Sequence, residues 1–200
     1  MENPAPVDSP VHDVIQRRWS PSTFNDRAVE PAVLRSLLEA ARWAPSSYNE
    51  QPWAFIVAIR GVSDDFARLL DCLAPGNRAW AGGAPVLMLS VAKMVFDQNG
   101  KPNRHAFHDV GLASAQLALQ ATALGLGVHF MAGFDGGRAR DSFAIPKNFE
   151  PVAAIAVGYA EALDALTGDQ RRRAESPRQR RPIEDFVYAG TWGTAAELTE

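Results

Sequence analysis

The amino-acid sequence predicts a single α+β domain, and three observations carry that prediction. Three short runs are apolar at consecutive positions, which is typical of strands covered on both faces: Ala54–Ile59, Pro85–Ala92 and Val152–Tyr159. Between residues 31 and 44, apolar residues recur instead at helical spacing. No internal repeat or long linker divides the 200 residues, and a hydrophobic content of 46% is enough to bury a sizeable core.

The N-terminal part is predicted to contain a flexible lead and two helices. Residues 1–10 are rich in proline and are expected to be flexible or to lie on a partner, whereas residues 11–200 are expected to form the domain. Val11–Arg18 is predicted to be helical and to end near Ser20 and Pro21. Pro31 suits the first position of the second helix, and Pro45 ends that helix.

The middle and C-terminal parts contain one unusual helix. Leu69–Trp80 is expected to be irregular and rich in turns. The run Asp109–Leu124 is apolar nearly all round and is followed by Gly125, a suitable residue for a helix C-terminus. A helix without a polar face needs cover on every side, so this one is a candidate subunit interface. Gly127–Phe134 is expected to return to the sheet.

Charge and cysteine content exclude several classes of protein. The net charge of -3 argues against general adhesion to nucleic acid or membranes. Cys72 is the only cysteine, which excludes an intrachain disulfide and suits a reducing compartment. The sequence contains neither a signal-peptide pattern nor an uninterrupted apolar run of about 18 residues, so we expect a cytoplasmic protein.

The common catalytic and nucleotide-binding motifs are absent. There is no phosphate-binding G-x-x-x-x-G-K-[ST] motif and no G-x-S-x-G elbow, and Gly125-Leu126-Gly127 lacks the third glycine of a dinucleotide fingerprint. His105 and His108 are spaced for one face of a helix, next to Asp109. They could form half of a metal site, although a pair of partly buried histidines, or one histidine lining a pocket, is the commoner outcome.

Three separated polar stretches could combine into one site. They are Arg17-Arg18-Trp19-Ser20, the loop Arg42–Trp53, and an arginine-rich segment around Arg178, Arg180 and Arg181. Two arginine clusters could converge on one phosphate group, because a guanidinium makes bidentate hydrogen bonds. The amides of the loop suit the edge of a heterocycle. On the residues alone, such an arginine-rich segment is more often a solvated face or a nucleic-acid patch than a phosphate site.

In that order these stretches resemble the nitroreductase family of FMN-dependent oxidoreductases. The most specific element is Ala44-Pro45-Ser46-Ser47-Tyr48-Asn49-Glu50-Gln51-Pro52-Trp53, and Gly125-Leu126-Gly127 leading to Gly133-Phe134-Asp135 fits as well. The similarity extends from about Val14 to Trp192, which is nearly the whole chain.

The resemblance implies a fold, an assembly and a set of cofactor-binding residues. It implies helices flanking a central sheet, mostly antiparallel or mixed, with a C-terminal arm that reaches the partner of a homodimer. Each of two FMN molecules would lie at the dimer interface. The residues that match the family's FMN contacts are Arg17, Arg18, Trp19, Ser20, Pro45, Ser46, Ser47, Asn49, Gln51, Asn77, Phe130, Met131, Ala132, Gly133, Arg178 and Arg180.

Among these residues the resemblance implies different contacts. The first four, with Arg178 and Arg180, would hold the phosphate-ribityl side, and the loop residues would reach the flavin of the other subunit. Asn77 would approach the pyrimidine edge, and the backbone N–H groups of Ala132 and Gly133 would face flavin N5 and O4. No catalytic side chain and no metal are expected, because hydride enters at N5 of the flavin.

The implied activity is a ping-pong oxidation of NADH or NADPH that reduces a nitroaromatic, a quinone or a similar conjugated acceptor. The alternative is a flavin-binding sensor or carrier of reduced flavin with little turnover. Two positions depart from the family pattern, because Ser22 and Trp80 stand where many relatives carry cations. Unless another group replaces those cations in space, we expect the anionic reduced flavin to be less stabilised.

Overall fold

The computed structural model describes residues 2–198. Met1, which belongs to the expected lead, and Thr199 and Glu200, which belong to the expected domain, lie outside the described residues. The helices are α1 (Asp13–Arg17), α2 (Pro31–Arg42), α3 (Asp65–Cys72), α4 (Pro75–Ala81), α5 (Ala106–Ala123), α6 (Gly136–Ser142) and α7 (Gly168–Glu175). The strands are β1 (Trp53–Ile59), β2 (Val86–Lys93), β3 (Gly127–Met131) and β4 (Phe149–Gly158).

The four strands form one sheet in the order β1-β2-β4-β3, and every neighbouring pair is antiparallel. This arrangement confirms the α+β class and the expected antiparallel sheet. Most of the helices lie in the connections between strands of the sheet. They pack on both faces of the sheet, where they form two core clusters.

The sheet is buried on both faces, as the consecutive apolar positions predicted. In β2, Leu87 and Leu89 face one core cluster together with residues of α3. Val86 and Met88 face the other cluster together with residues of α2 and α5. Successive side chains of a strand point to opposite faces, so both sets must be apolar when both faces are covered.

The expectation of an irregular segment between residues 69 and 80 was wrong. The chain forms α3 through Cys72 and begins α4 at Pro75, with only a short break between the two helices. In α3 the buried residues Phe66, Leu69 and Cys72 lie on one face. Pro75 occupies the first turn of α4, where its missing N–H leaves no hydrogen bond unmade.

The apolar helix α5 is covered on one side only within a single chain. It begins at Ala106, earlier than expected, and Val110, Ala113 and Leu117 are fully buried. Its other side is open: Phe107 is 47% exposed, and a Cβ built at Gly111 meets nothing within 4 Å. Within residues 2–198, no helix has the length and apolar character needed to cross a bilayer.

Candidate functional site

A cavity of about 420 Å³ lies where the segment after α1, α4, β3 and the C-terminal segment meet. The fold closes this corner because Ala74 at the start of α4 donates its N–H to the carbonyl of Gly133 after β3, at 3.0 Å. Six residues expected at the FMN site line it: Arg18, Trp19, Ser20, Asn77, Arg178 and Arg180. The structure thus brings together residues that lie up to 162 positions apart in the sequence.

Four arginines line the cavity, and no carboxylate lines it among the described residues. Arg173 of α7 joins Arg18, Arg178 and Arg180. Burial, and then the positive charges of Arg178 and Arg180, lower the pKa of Arg18 below its usual value. Burial and the charge of Arg180 lower the pKa of Arg178 in the same way. An anion in the cavity would relieve this repulsion, so the electrostatics are those of an anion site.

Backbone carbonyls hold Arg178 in place. Its Nη1 donates to the carbonyl oxygens of Asn3 and Gln16, at 2.7 and 3.1 Å. Asn3 also donates from Nδ2 to the carbonyl of Ala174 at 2.9 Å, and its side chain lines the cavity. Carbonyl partners orient a guanidinium without neutralising its charge. The N-terminal lead therefore contributes to the wall, which sequence reasoning missed.

Asn77 lines the cavity and connects its wall to the turn after β3, whose Ala132 and Gly133 are not among the lining residues. Asn77 Nδ2 donates to the carbonyl of Gly133 at 2.9 Å, and this leaves its side-chain oxygen available. A Cβ on residue 133 would lie 2.8 Å from that Nδ2 atom, so any larger residue there would displace the Asn77 amide. Ala132 and Gly133 are both exposed, in agreement with a backbone open to a ligand.

Sequence reasoning missed His129 as a residue of the cavity wall. His129 lies in β3, and its ring centroid is 4.5 Å from that of Trp80. Its Nδ1 atom is 3.0 Å from the carbonyl oxygen of Pro21. Ser22 and Trp80, the two positions that depart from the family pattern, line the same cavity. The available signal was a lone histidine in an otherwise apolar strand.

The polar loop that follows α2 lies outside this cavity in its own chain. Ser47–Asn49 form a short 3₁₀ turn, and Tyr48, Asn49 and Gln51 have φ values of 54°, 56° and 51°. The left-handed region is strained for residues other than glycine, although asparagine tolerates it. Hydrogen bonds must therefore hold the loop in this shape.

A buried carboxylate supplies the main restraint on that loop. Asp109 of α5 is 2% exposed, and its Oδ2 accepts the backbone N–H of Ser47 at 3.0 Å. Its Oδ1 lies 3.1 Å from Nδ1 of His108. Within the loop, Ser46 Oγ accepts the N–H of Gln51 at 3.0 Å. These bonds fix the backbone while the side chain of Gln51 stays exposed.

The remaining expected site residues do not line the cavity. Arg17 pairs with Asp13, the residue that opens α1, and its Nη1 reaches the carbonyl of Thr122 near the end of α5. Met131 is buried in the core, and Phe130 packs against the other core cluster. Pro45 is exposed beside the loop.

The other candidate reactive groups stand apart from the cavity. His105 and His108 are exposed, so the expectation of partly buried histidines was wrong. No group of three or more potential metal-ligating side chains occurs in the described part of the chain. Cys72 is buried, and burial raises the pKa of its thiol above the usual value.

The sequence and the fold both match known proteins. The model of the nitroreductase family matches residues 15–159. An uncharacterised 15.4 kDa protein of Mycolicibacterium smegmatis is 35% identical over 150 residues, which cover 70% of this chain and 97% of that protein. A Xanthomonas oryzae pv. oryzae (strain PXO99A) protein, named as a candidate NADH dehydrogenase/NAD(P)H nitroreductase, is 28% identical over 159 residues. That match covers 70% of this chain and 80% of the Xanthomonas protein.

A solved structure extends the similarity over almost the whole chain. The crystal structure of an oxidoreductase containing FMN superposes with a TM-score of 0.87 and 32% sequence identity. The match covers 95% of this chain and 96% of the other. The shared fold therefore includes the C-terminal segment beyond residue 159, which carries three of the four cavity arginines.

Proposed function

The chain belongs to the nitroreductase family, and we propose that it is an FMN-dependent oxidoreductase that oxidises NADH or NADPH and reduces a small conjugated acceptor. The observation that carries this proposal is the cavity with four arginines and no carboxylate among the described residues. A phosphate monoester carries about −1.5 to −2 charges near neutral pH. Arg18, Arg178 and Arg180 would bind that group, with Ser20 donating from its hydroxyl.

The neutral end of the cavity fits a flavin ring. Asn77 offers an amide to the hydrogen-bonding edge of a heterocycle, and Gly133 leaves its backbone open beside it. The volume of about 420 Å³ lies within the roughly 300–1,000 Å³ of small-molecule sites. FMN, when bound, supplies hydride acceptance at N5 and electron transfer to the acceptor. The protein has to bind, orient and exclude water, and no nucleophilic side chain is needed.

The electron donor would be a reduced nicotinamide, which the name of the Xanthomonas relative supports. Because the sequence lacks a dinucleotide fingerprint, we infer that donor and acceptor use the same open side of the cavity in turn. This order of events is a ping-pong mechanism. Nitroaromatics and quinones are suitable acceptors, because both are flat and conjugated.

We further propose that the active form is a homodimer. The loop with Ser46, Ser47, Asn49 and Gln51 lies away from its own cavity, where it could serve the cavity of a second subunit. An apolar groove of about 610 Å³ adjoins Arg18, Arg178 and Arg180, and its other walls include Val11, Ile15 and Phe186, which are 42%, 49% and 48% exposed. Exposed apolar surface of this extent favours cover by a partner subunit. The exposed segment from Ile183 to Trp192 would be the arm that reaches the partner.

The test combines a spectrum with an activity assay. The purified protein is expected to carry FMN absorbance or to bind added FMN, and then to oxidise NADH or NADPH with a quinone as acceptor. Arg18→Ala should weaken FMN binding, whereas Arg171→Ala should not, because Arg171 pairs with Glu175 outside the cavity. Failure to bind FMN would refute the proposal. Bound flavin without nicotinamide oxidation would instead indicate a sensor or a carrier of reduced flavin.

A further inference from the structure

His129 is the one side chain lining the cavity, within the described residues, that can change its charge near neutral pH. The other ionisable groups of the wall are the arginines, which stay protonated. Serine, threonine, asparagine, glutamine and tryptophan residues complete the polar lining. A histidine in this position can respond to charge that appears in the cavity during a reaction.

The hydrogen bond of His129 defines which nitrogen is free. Nδ1 lies 3.0 Å from the carbonyl oxygen of Pro21, so in the neutral ring Nδ1 carries the proton. The lone pair therefore resides on Nε2. The ring of Trp80 lies against the imidazole at a centroid distance of 4.5 Å, and Ala156 of β4 is its partner in the sheet. The ring is thus held in one orientation by Trp80 of α4 and by the Pro21 carbonyl in the segment after α1.

The surroundings of His129 disfavour its protonated form, but two backbone carbonyls partly offset this effect. Burial lowers the pKa of His129 below its usual value, and the carbonyls of Pro21 and Ser20 act in the opposite direction. No carboxylate lines the cavity among the described residues, and the charged groups of its wall are the four arginines. The imidazole is therefore neutral at pH 7 in the protein as described. A negative charge nearby would reverse this balance.

We propose that His129 binds a proton from solvent on Nε2 when the cofactor in the cavity is reduced, and that the resulting imidazolium is the counter-charge of the reduced ring. This proposal rests on the proposed function. Hydride transfer delivers two electrons and one proton and leaves the ring with one negative charge. The proton taken up by Nε2 is a second one, it comes from water, and no covalent bond to the protein forms or breaks.

The proposal gives His129 the role that permanent cations could fill. Ser22 and Trp80 line the cavity and carry no charge. A protonatable group differs from a fixed cation, because it leaves the oxidised state neutral and stabilises only the reduced state. It follows that proton binding and reduction are coupled, and each strengthens the other.

The potential of the bound flavin measures this coupling directly. For a two-electron couple, each proton taken up on reduction shifts the midpoint by about 30 mV per pH unit, since tenfold in an equilibrium constant is 29.6 mV. With hydride and the His129 proton, the wild-type potential should fall by about 60 mV per pH unit at pH values between the pKa of His129 in the oxidised protein and its higher pKa in the reduced protein. In His129→Gln it should fall by about 30 mV per unit. His105→Gln, at an exposed position outside the cavity, should match the wild type.

A second measurement follows the proton itself. The chain has four histidines, and the ring signals of His129 in an NMR spectrum can be identified by their loss in His129→Gln. The affinity of His129 for a proton should rise at least tenfold between oxidised and reduced protein. In the FMN-free protein, the pKa of His129 should be as low as in the oxidised protein or lower, because the negative phosphate of bound FMN favours the imidazolium.

The outcomes separate this proposal from the proposed function. If FMN binds, but His129 titrates alike in both redox states, the proposal is wrong and the proposed function stands. A slope of 60 mV per pH unit that persists in His129→Gln would place the second proton elsewhere and would also overturn it. If FMN does not bind at all, the proposed function and the role of His129 fail together.

Discussion

Replacing Asp109 should release the polar loop, because this carboxylate is the link between the loop and α5. In Asp109→Ala the N–H of Ser47 loses an acceptor 3.0 Å away. A hydrogen bond to a charged group contributes about 1.5–3 kcal/mol. The exposed His108 adds little, since its side chain is 70% exposed. We therefore expect a loss of about 2–3 kcal/mol in the free energy of unfolding, or roughly 4–12 °C in Tm.

Hydrogen exchange of the loop tests the role of Asp109 more specifically than the stability of the whole protein does. Tyr48, Asn49 and Gln51 are left-handed, so release of Ser47 lets them relax to ordinary backbone conformations. Amide hydrogen exchange in residues 46–51 should accelerate about 30- to 150-fold in Asp109→Ala, which is the same free energy expressed as a rate ratio. Asp109→Asn keeps a neutral acceptor and should lose only about 1 kcal/mol.

The control for Asp109 is a buried polar residue on the same helix. Ser114 is 8% exposed in α5, and Ser114→Ala should change stability by less than about 1 kcal/mol and leave loop exchange unaltered. Slow exchange in residues 46–51 of Asp109→Ala would show that the loop keeps its shape without the carboxylate. The reasoning about Asp109 would then be wrong, even if the Tm fell.

Three further predictions concern the cavity and the buried thiol. Arg178→Ala should raise the Kd for FMN about 10- to 150-fold, the equivalent of 1.5–3 kcal/mol, and fluorescence titration against Arg171→Ala measures this; equal affinities would exclude a phosphate contact. Gly133→Ala places a Cβ 2.8 Å from Asn77 Nδ2 and should weaken FMN binding in the same assay, whereas Gly76→Ala, with nothing within 4 Å, should not. Because burial raises the pKa of Cys72, its thiol should stay protonated and unreactive at pH 8, and a thiol reagent should titrate one group only after unfolding; rapid labelling of folded protein would contradict this.

The sequence predicted the strands well because their physical signature is local. A strand buried on both faces is apolar at every position, and β2 shows this over nearly its full length. The short helix α4 has no comparable signature. Its sequence P-G-N-R-A-W-A contains glycine and asparagine, and only Ala81 is buried. Contacts outside the helix, such as the hydrogen bond from Asn77 to Gly133, stabilise it, and spacing alone cannot reveal them.

The family resemblance made the arginines of the candidate site predictable, whereas the place of His129 in the cavity wall depends on the fold. The family resemblance, and not the charges alone, indicated before the fold was known that Arg18, Arg178 and Arg180 form a phosphate-binding set. In β3, by contrast, the sequence drew attention to Phe130 and Met131, whereas His129 lines the cavity. Successive residues of a strand face opposite sides, so Phe130 lies on the other face from His129, whereas Met131 lies on the same face and is buried in the core. Which residue of that face meets the cavity depends on contacts with Trp80 and Pro21, and these the sequence does not show.

The arginine cluster also connects function to stability. Arg18, Arg178 and Arg180 repel one another in the described chain, and carbonyl oxygens rather than carboxylates hold Arg178 in position. A ligand that binds only the folded state stabilises it by about 2.7 kcal/mol at a concentration 100 times its Kd. Because Arg178 is anchored to Asn3 and Gln16, an anion in the cavity would hold the C-terminal segment and the N-terminal lead together. Both ends of the chain should therefore become more protected from hydrogen exchange when FMN binds, and Arg178→Ala should abolish the gain at both ends at once.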